Sequence, residues 1–368
     1  MNRLLVAEEV LPGHPDRLAD GIAEALVDFG VGRDPEALVG VEVAVHRNRV
    51  FVTGRVAACH VTPHLDLEHL VRFAYQRAGY SKAWALDLEV ASDLDLGPLS
   101  AEERGIRQFS DDQNVVVASA WGFPRLRYMS PECAAARAVR DSLTRLRQSR
   151  PDVLGPDGKA LVVLEDLGDG AVRWRRLNIA MQHVPEAALE ELFALMLPAT
   201  TLALASLEPY SPGLHSTFSP EVVRLNGAGD FSRGGPHGDN GLSGKKLVVD
   251  HGGPGTPIGG GALCGKDPHK VDRVGALNAR HLAVRLLGAT GGAQARLTLG
   301  YLPGQAAPDF LQAELDGALL DEVDLAAMFP LPDLSIAATV DRFGLTRVRW
   351  TDVLRTGYFG GPWAWEEP

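Results

Sequence analysis

Apolar positions along this chain recur at two spacings that alternate with one another. In residues 17–29, Leu18, Ile22, Leu26 and Phe29 fall on one face at helical spacing, so a helix is expected there. Residues 41–45 and 50–56 carry the valine-rich pattern of strands, and His46-Arg47-Asn48-Arg49 between them predicts a hairpin turn. Ser130 followed by Pro131 predicts the start of a second helix, whose Arg137, Arg140, Arg145 and Arg147 read as a solvated basic face. Residues 160–164 and 175–181 predict strands, 186–197 a third helix, 274–287 a fourth, and 295–301 a further strand. This order is that of an α+β protein. Turn-rich stretches at 97–107 and 208–220 divide the chain into expected domains 1–100, 108–220 and 221–368.

Residues 252–272 read GGPGTPIGGGALCGKDPHKVD and break the periodic pattern, ending in Lys266, Asp267, Lys270 and Asp272 just before the fourth helix. Glycines let backbone amides approach phosphate oxygens, lysines supply compact positive charge, and a helix opening near Asp272 adds the positive end of its dipole. That combination points to a polyanion site. It is not a Walker loop, because the GxxxxGK[ST] order is absent. Taken alone, the run is equally compatible with a mobile loop carrying incidental lysines.

Charge narrows the ligand class. The formal net charge is −11, from 36 basic and 47 acidic residues. General nucleic-acid binding is a poor fit to such a chain, whereas a local basic pocket in a negative surround suits a small phosphorylated ligand. Cys59, Cys133 and Cys264 are far apart and form no CxxC pair, which argues against a disulfide framework or a zinc site and for a reducing compartment. No apolar run reaches transmembrane length, so a cytoplasmic protein without a membrane partner is expected. At 368 residues the chain is long enough for two or three domains with a substantial core.

Two further motifs identify the site. Gly13-His14-Pro15-Asp16-Arg17 lies near the start, and Gly234-Gly235-Pro236-His237-Gly238-Asp239-Asn240-Gly241-Leu242-Ser243-Gly244-Lys245-Lys246 lies just upstream of the long glycine run. In this order the three segments resemble the S-adenosylmethionine synthetase (methionine adenosyltransferase) family, whose patterns are GHPDK, GGPxGDxGLTGRK and HGGGAFSGKDPxKVDR. Weaker matches are Ser110-Asp111-Asp112-Gln113-Asn114 against AGDQG, Pro156-Asp157-Gly158-Lys159 against RPDxK, and Tyr358-Phe359-Gly360 against the tail of YGHFG. The resemblance thus spans nearly the whole chain.

It implies three similar α/β subdomains around a pseudo-threefold axis, with intertwined boundaries. It also implies a homodimer or dimer of dimers with active sites between subunits. The implied reaction joins ATP and L-methionine with two Mg2+ per site and K+, releasing phosphate and diphosphate. By position, His14 would act as an imidazolium at the bridging oxygen on C5′, and Lys159, Lys245, Lys246 and Lys266 would contact the phosphates, with Lys159 and Lys266 catalytic alongside His14. Asp157, Phe231 and Asp239 would join them at ATP, with Phe231 stacked on adenine and Asp239 also facing methionine. Lys270 would meet the second substrate. Asp16 and Asp272 match the magnesium carboxylates, and Glu42 the K+ ligand.

Departures from the pattern fall on the methionine side. Arg55, in Thr53-Gly54-Arg55-Val56, stands where the family's GGEIT has a glutamate that recognises methionine. A guanidinium there is expected to repel an amine and favour an acidic second substrate. Residues 92–100 are expected to form a shortened mobile loop without the family's glutamine. Asp230 replaces the arginine of an RF pair. Two rival readings follow: a paralogue that adenosylates another nucleophile or hydrolyses triphosphate, and an inactive regulatory subunit.

Overall fold

The structure, a computed structural model, describes residues 3–59 and 65–368. Its frame is three four-stranded sheets, each drawing strands from distant parts of the chain. One sheet has the order β1 (Leu4–Val10), β6 (Leu154–Gly168), β7 (Ala171–His183), β8 (Val223–Leu225). The second runs β4 (Glu89–Gly97), β3 (Arg49–Ala57), β2 (Leu38–His46), β9 (Gly241–Leu242). The third runs β12 (Ala318–Leu320), β11 (Phe310–Leu315), β10 (Gln294–Tyr301), β5 (Asn114–Trp121). Pairing is antiparallel except for β3 with β4 and β7 with β8. The sheets therefore cut across the linear ranges read from turn content: β1 lies beside strands of the middle segment, and β5 beside strands of the last. Pairing energy is collected between strands wherever they meet, whatever the turns separating them in sequence.

Each sheet buries one face under helices. Val39, Val41, Val43 and Val45 of β2 alternate inward onto the Pro15–Val31 helix, where Leu18, Ile22 and Leu26 are fully buried, as their spacing predicts. The Pro131–Ser149 and Leu189–Ala205 helices cover the first sheet in a separate core, and the Val271–Thr290 helix packs on β5 and β10. The hairpin lies where expected, with His46 paired to Arg49. Gly54 has φ +120°, and a Cβ there would strike the carbonyl of Gly40 on β2, so this strand position admits glycine alone.

Two expectations need correction. Residues 89–97 form β4, in parallel register with the whole of β3, and the shortened mobile loop is absent there. Ser100 then caps the short Ala101–Gly105 helix in a reciprocal box with Glu103. The basic face of the second helix is also not uniformly solvated. Arg137 Nη1 donates to the Phe359 carbonyl at 2.6 Å and Arg140 Nη1 to that of Arg355 at 2.6 Å. Arg147 donates to the Gly79 carbonyl. These carbonyls come from segments that dock on the helix from far along the chain, so the spacing of the arginines could not reveal them.

Candidate functional site

Most residues singled out by sequence gather in two clusters at the ends of β2, and Asp157 and Lys159 reach one of them from β6 of the first sheet. The first is built on the N-terminus of the Pro15–Val31 helix, which His14 caps by accepting from the Asp16 amide through Nδ1 at 3.2 Å. That contact leaves the ring proton on Nε2. Burial, then the charges of Lys159 and Lys246, push the His14 pKa down to about 3. The imidazolium expected at this position is therefore not the form its surroundings favour. A neutral ring with an Nε2–H donor is.

Asp16 is buried and fully engaged. Its Oδ1 accepts from the Leu242 amide at 3.1 Å and lies 3.6 Å from Lys245, while its Oδ2 accepts from Lys246 Nζ at 2.7 Å. Burial raises its pKa, but the Lys246 hydrogen bond and the Leu242 amide outweigh it, and the carboxyl stays below its usual range. β9 brings these partners in by pairing Leu242 with Ala44 of β2. Nearby, Asp157 is buried and accepts from the Gly235 amide at 2.8 Å through Oδ2, while its Oδ1 has no partner among the described residues. Burial lifts its pKa to about 6. Phe231 is half-buried against Gly234, and exposed Asp239 is close enough to raise the Asp157 pKa further. Asp230 turns its carboxylate to Ser232.

The second cluster sits at the other end of β2. Lys266 forms a bridge with Gly40 and a 2.6 Å ion pair with Asp272, which occupies the first turn of the Val271–Thr290 helix. Lys270 stands at the N-cap position of that helix, with no side-chain capping bond, and pairs with Asp111. With Asp112, Gly260 and Gly261 they line an open cleft of about 750 Å³. Gly40 and Ala44 are four residues apart, so the clusters are separated by about 13 Å at about 3.3 Å per residue. Glu42 lies between them on the outward face, its Oε2 accepting from Ser243 Oγ at 2.5 Å.

Arg55 does not line this cleft. It pairs with Gly40 across β2, but its Nε and Nη2 donate to Glu103 at 2.7 and 3.0 Å, and its Nη1 lies 3.0 Å from Asp95. The Arg55 hydrogen bond holds the Glu103 carboxyl down to about 2. Neither partner carboxylate was singled out from sequence. Glu103 lies 48 residues away, and Asp95 lies on the strand mistaken for a loop.

Only six of the 36 basic residues are lysine, and five of these, Lys159, Lys245, Lys246, Lys266 and Lys270, stand in the two clusters. Elsewhere the chain uses arginine for positive charge almost without exception. Arginine offers a broad planar fork and lysine a compact ammonium with three rotatable donors, so the confinement of lysine to these positions marks a demand for point charges at short range.

Among the described residues, no group of three or more His, Cys, Asp or Glu is arranged to hold a metal by itself. The donor set does fit a hard cation that arrives with phosphate oxygens. Asp16 in one cluster and Asp272 in the other are each held by a lysine, and Mg2+ commonly binds through one or two carboxylates plus substrate phosphates. Glu42 with the Ser243 hydroxyl offers oxygen donors of the kind a monovalent cation takes.

Two glycine-framed lysine clusters on a repeated sheet-and-helix scaffold have the charge and backbone geometry to receive a compact polyanion. The comparisons place the chain in a family. Residues 2–94 match the profile of the S-adenosylmethionine synthetase N-terminal domain, and residues 233–367 that of its C-terminal domain. An S-adenosylmethionine synthase from Thermus thermophilus is 31% identical, covering 99% of this chain and 96% of the relative. One from Zymomonas mobilis is 30% identical over 89% and 85%. A solved structure described as an unusual S-adenosylmethionine synthetase from Campylobacter jejuni superposes with a TM-score of 0.87 at 25% identity, covering 99% of this chain and 97% of that one. The chain belongs to the S-adenosylmethionine synthetase family. No helix among the described residues is long and apolar enough to cross a membrane.

Proposed function

We propose that this chain forms S-adenosylmethionine from ATP and L-methionine. The observation that carries the reading is the gathering of five of six lysines into two clusters at the two ends of β2, with Lys159 reaching the first of them from β6 of the neighbouring sheet. The methionine sulfur attacks the ribose C5′, forming the C–S bond as the C5′–O bond breaks and the whole triphosphate leaves; water then cleaves the triphosphate to phosphate and diphosphate. Little protein covalent chemistry is required. The barrier lies in the charge of the leaving group, and preorganised cations are the usual means of lowering it.

Asp157, Phe231 and Asp239 hold the adenosine, the Asp157 Oδ1 accepting from it. The His14 Nε2–H donates to the departing C5′ oxygen. Lys159, Lys245 and Lys246 bind the phosphates from one side and Lys266 from the other, Lys245 and Lys246 releasing Asp16 and Lys266 releasing Asp272 as they do so. Asp16 and Asp272 would hold Mg2+, which would supply further neutralisation of the triphosphate, and Glu42 would hold K+. Lys270 faces the second substrate.

Val6, Phe51, Val115, Leu242 and Phe310 are exposed large apolar side chains, all on strands, and such surface is what a homodimer covers. Methionine remains compatible with Arg55. With Asp95 and Glu103 beside it the local formal charge is −1, which does not repel an amine.

The test is incubation of the purified protein with ATP, Mg2+ and K+, with and without L-methionine, with S-adenosylmethionine and phosphate measured separately. Methionine-dependent S-adenosylmethionine is expected, and Lys266→Ala should abolish it with an unchanged melting curve. Phosphate without S-adenosylmethionine would refute the assignment in favour of a hydrolase. Near-native turnover in Lys266→Ala would remove the second cluster from the reaction.

A further inference from the structure

A cavity of about 580 Å³ lies among the Pro15–Val31, Leu67–Ala78, Pro131–Ser149 and Trp350–Thr356 helices, and none of the residues assigned above lines it. It backs onto Pro12 and Arg17, the neighbours of His14 and Asp16. Its volume falls within the range of about 300–1,000 Å³ typical of pockets for small molecules.

The wall is polarised. Seven arginines line it against four carboxylates, but Arg17 pairs with Asp20 and Asp250, and Arg77 and Arg355 lie 3.3 and 3.4 Å from Asp352, so the buried positive charge least neutralised is on the Pro131–Ser149 helix. Three of the seven, Arg137, Arg140 and Arg147, come from one helix, and each has a buried Nε that makes no hydrogen bond among the described residues. Their other nitrogens donate to main-chain carbonyls, which carry no formal charge. Glu9 is the one lining carboxylate near Arg137 and Arg140, at 3.6 and 3.8 Å, beyond hydrogen-bond distance. Asp141, which does not line the cavity, lies 3.1 Å from the Arg140 Nε and offsets part of that charge. Arg147 has no carboxylate partner among the described residues, and burial pushes its pKa down. Guanidinium groups keep their proton nonetheless, so charge removed from water without a counter-ion draws an anion. Phe29, Leu70, Phe73 and Leu354 add apolar surface to the lining.

We propose that this cavity binds a small organic anion, one acidic group on an aromatic or branched apolar body. The acidic group meets Arg147 and Arg140, and the body packs on Phe73 and Leu70. The ligand is distinct from the polyanion of the lysine clusters: it has a single acidic group and needs a hydrocarbon surface.

The probe is 8-anilinonaphthalene-1-sulfonate, titrated into the full chain by fluorescence, with N-phenyl-1-naphthylamine as the same body without the sulfonate. One saturable, blue-shifted site per chain is expected, with the sulfonate binding at least about tenfold more tightly than the neutral dye. Arg147→Gln should weaken sulfonate binding by about tenfold, and Ala74→Trp, which fills the cavity from the Leu67–Ala78 helix, should abolish it. If Arg147→Gln does not fold, Arg349→Gln reports on the same wall, since that arginine is exposed and its side chain makes no hydrogen bond among the described residues. Affinity unchanged by the arginine change and by Ala74→Trp would overturn the proposal and move the dye to the exposed sheet faces. Equal affinity for both dyes would overturn the anion requirement. Since the readout is binding, it stands whether or not S-adenosylmethionine is formed.

Discussion

His14→Asn separates the protonation state of this residue from its structural part. Asparagine is a good N-cap and keeps an acceptor for the Asp16 amide, so the cap survives while the titration is lost. In the wild type, burial and two lysines hold the His14 pKa at about 3, against 6.5 for an ordinary histidine. Between these values the unfolded chain binds a proton that the folded chain does not. Stability conferred by His14 is therefore complete above about pH 6.5 and is lost as pH falls. At about pH 5 the unfolded state has gained about 1.5 pH units of protonation free energy, or about 2 kcal/mol. Asp20, raised to about 7, and Asp157, raised to about 6, act with the opposite sign, but both proteins contain them and they cancel in the difference. The assay is urea unfolding of both proteins at equal concentration at about pH 7.5 and about pH 5. The wild type should lose about 2 kcal/mol more than the variant over that interval. Parallel losses would mean that His14 titrates normally in the folded chain, and the claim that burial and the two lysines hold its ring neutral below about pH 6.5 would fall with that result.

Three further changes test other parts of the site and its frame. Gly261→Ala would drive a Cβ into the Asp272 carboxylate and close to Lys266 Nζ, both ends of flexible side chains. Turnover should fall by about 10²-fold with stability changed by less than about 0.5 kcal/mol, and unaltered kinetics would detach that ion pair from the chemistry. Arg55→Glu would set three carboxylates together with Asp95 and Glu103, so a loss of about 1–2 kcal/mol and no gain in methionine saturation are expected. Improved methionine use would show instead that Arg55 reaches the substrate. Arg273, fully buried, pairs with Glu24 at 2.5 Å and stacks on Trp350 at 3.9 Å, so Arg273→Met should cost about 3–5 kcal/mol in chemical denaturation by leaving Glu24 without its cation. A cost below about 1 kcal/mol would mean that Tyr358 alone satisfies that carboxylate.

The sequence by itself determined the elements and the chemistry of the candidate site. Periodicity located the Pro15–Val31 helix, the β2–β3 hairpin and the start of the Val271–Thr290 helix, because those patterns are written within a few turns or a few strand residues. Motif order placed His14, Asp16, Lys245, Lys246, Lys266 and Asp272 in one family's pattern, and the confinement of lysine to these segments was there to be counted.

Tertiary structure decided what each charge faces. Arg55 reads as a free cation until β4 pairs in parallel with β3 and the Ala101–Gly105 helix brings up Glu103. A parallel partner must return by a crossover, here through the Leu67–Ala78 helix, and so leaves no turn signal next to it in sequence. The arginines of the Pro131–Ser149 helix read as solvated until Phe359, Arg355 and Gly79 lay carbonyls across them. His14 likewise reads as an imidazolium until burial and two lysines from separate segments discharge it. The reason is common to all three: spacing reports only on neighbours along the chain, whereas the free energy of a charge depends on its distance through space to every other charge and to water.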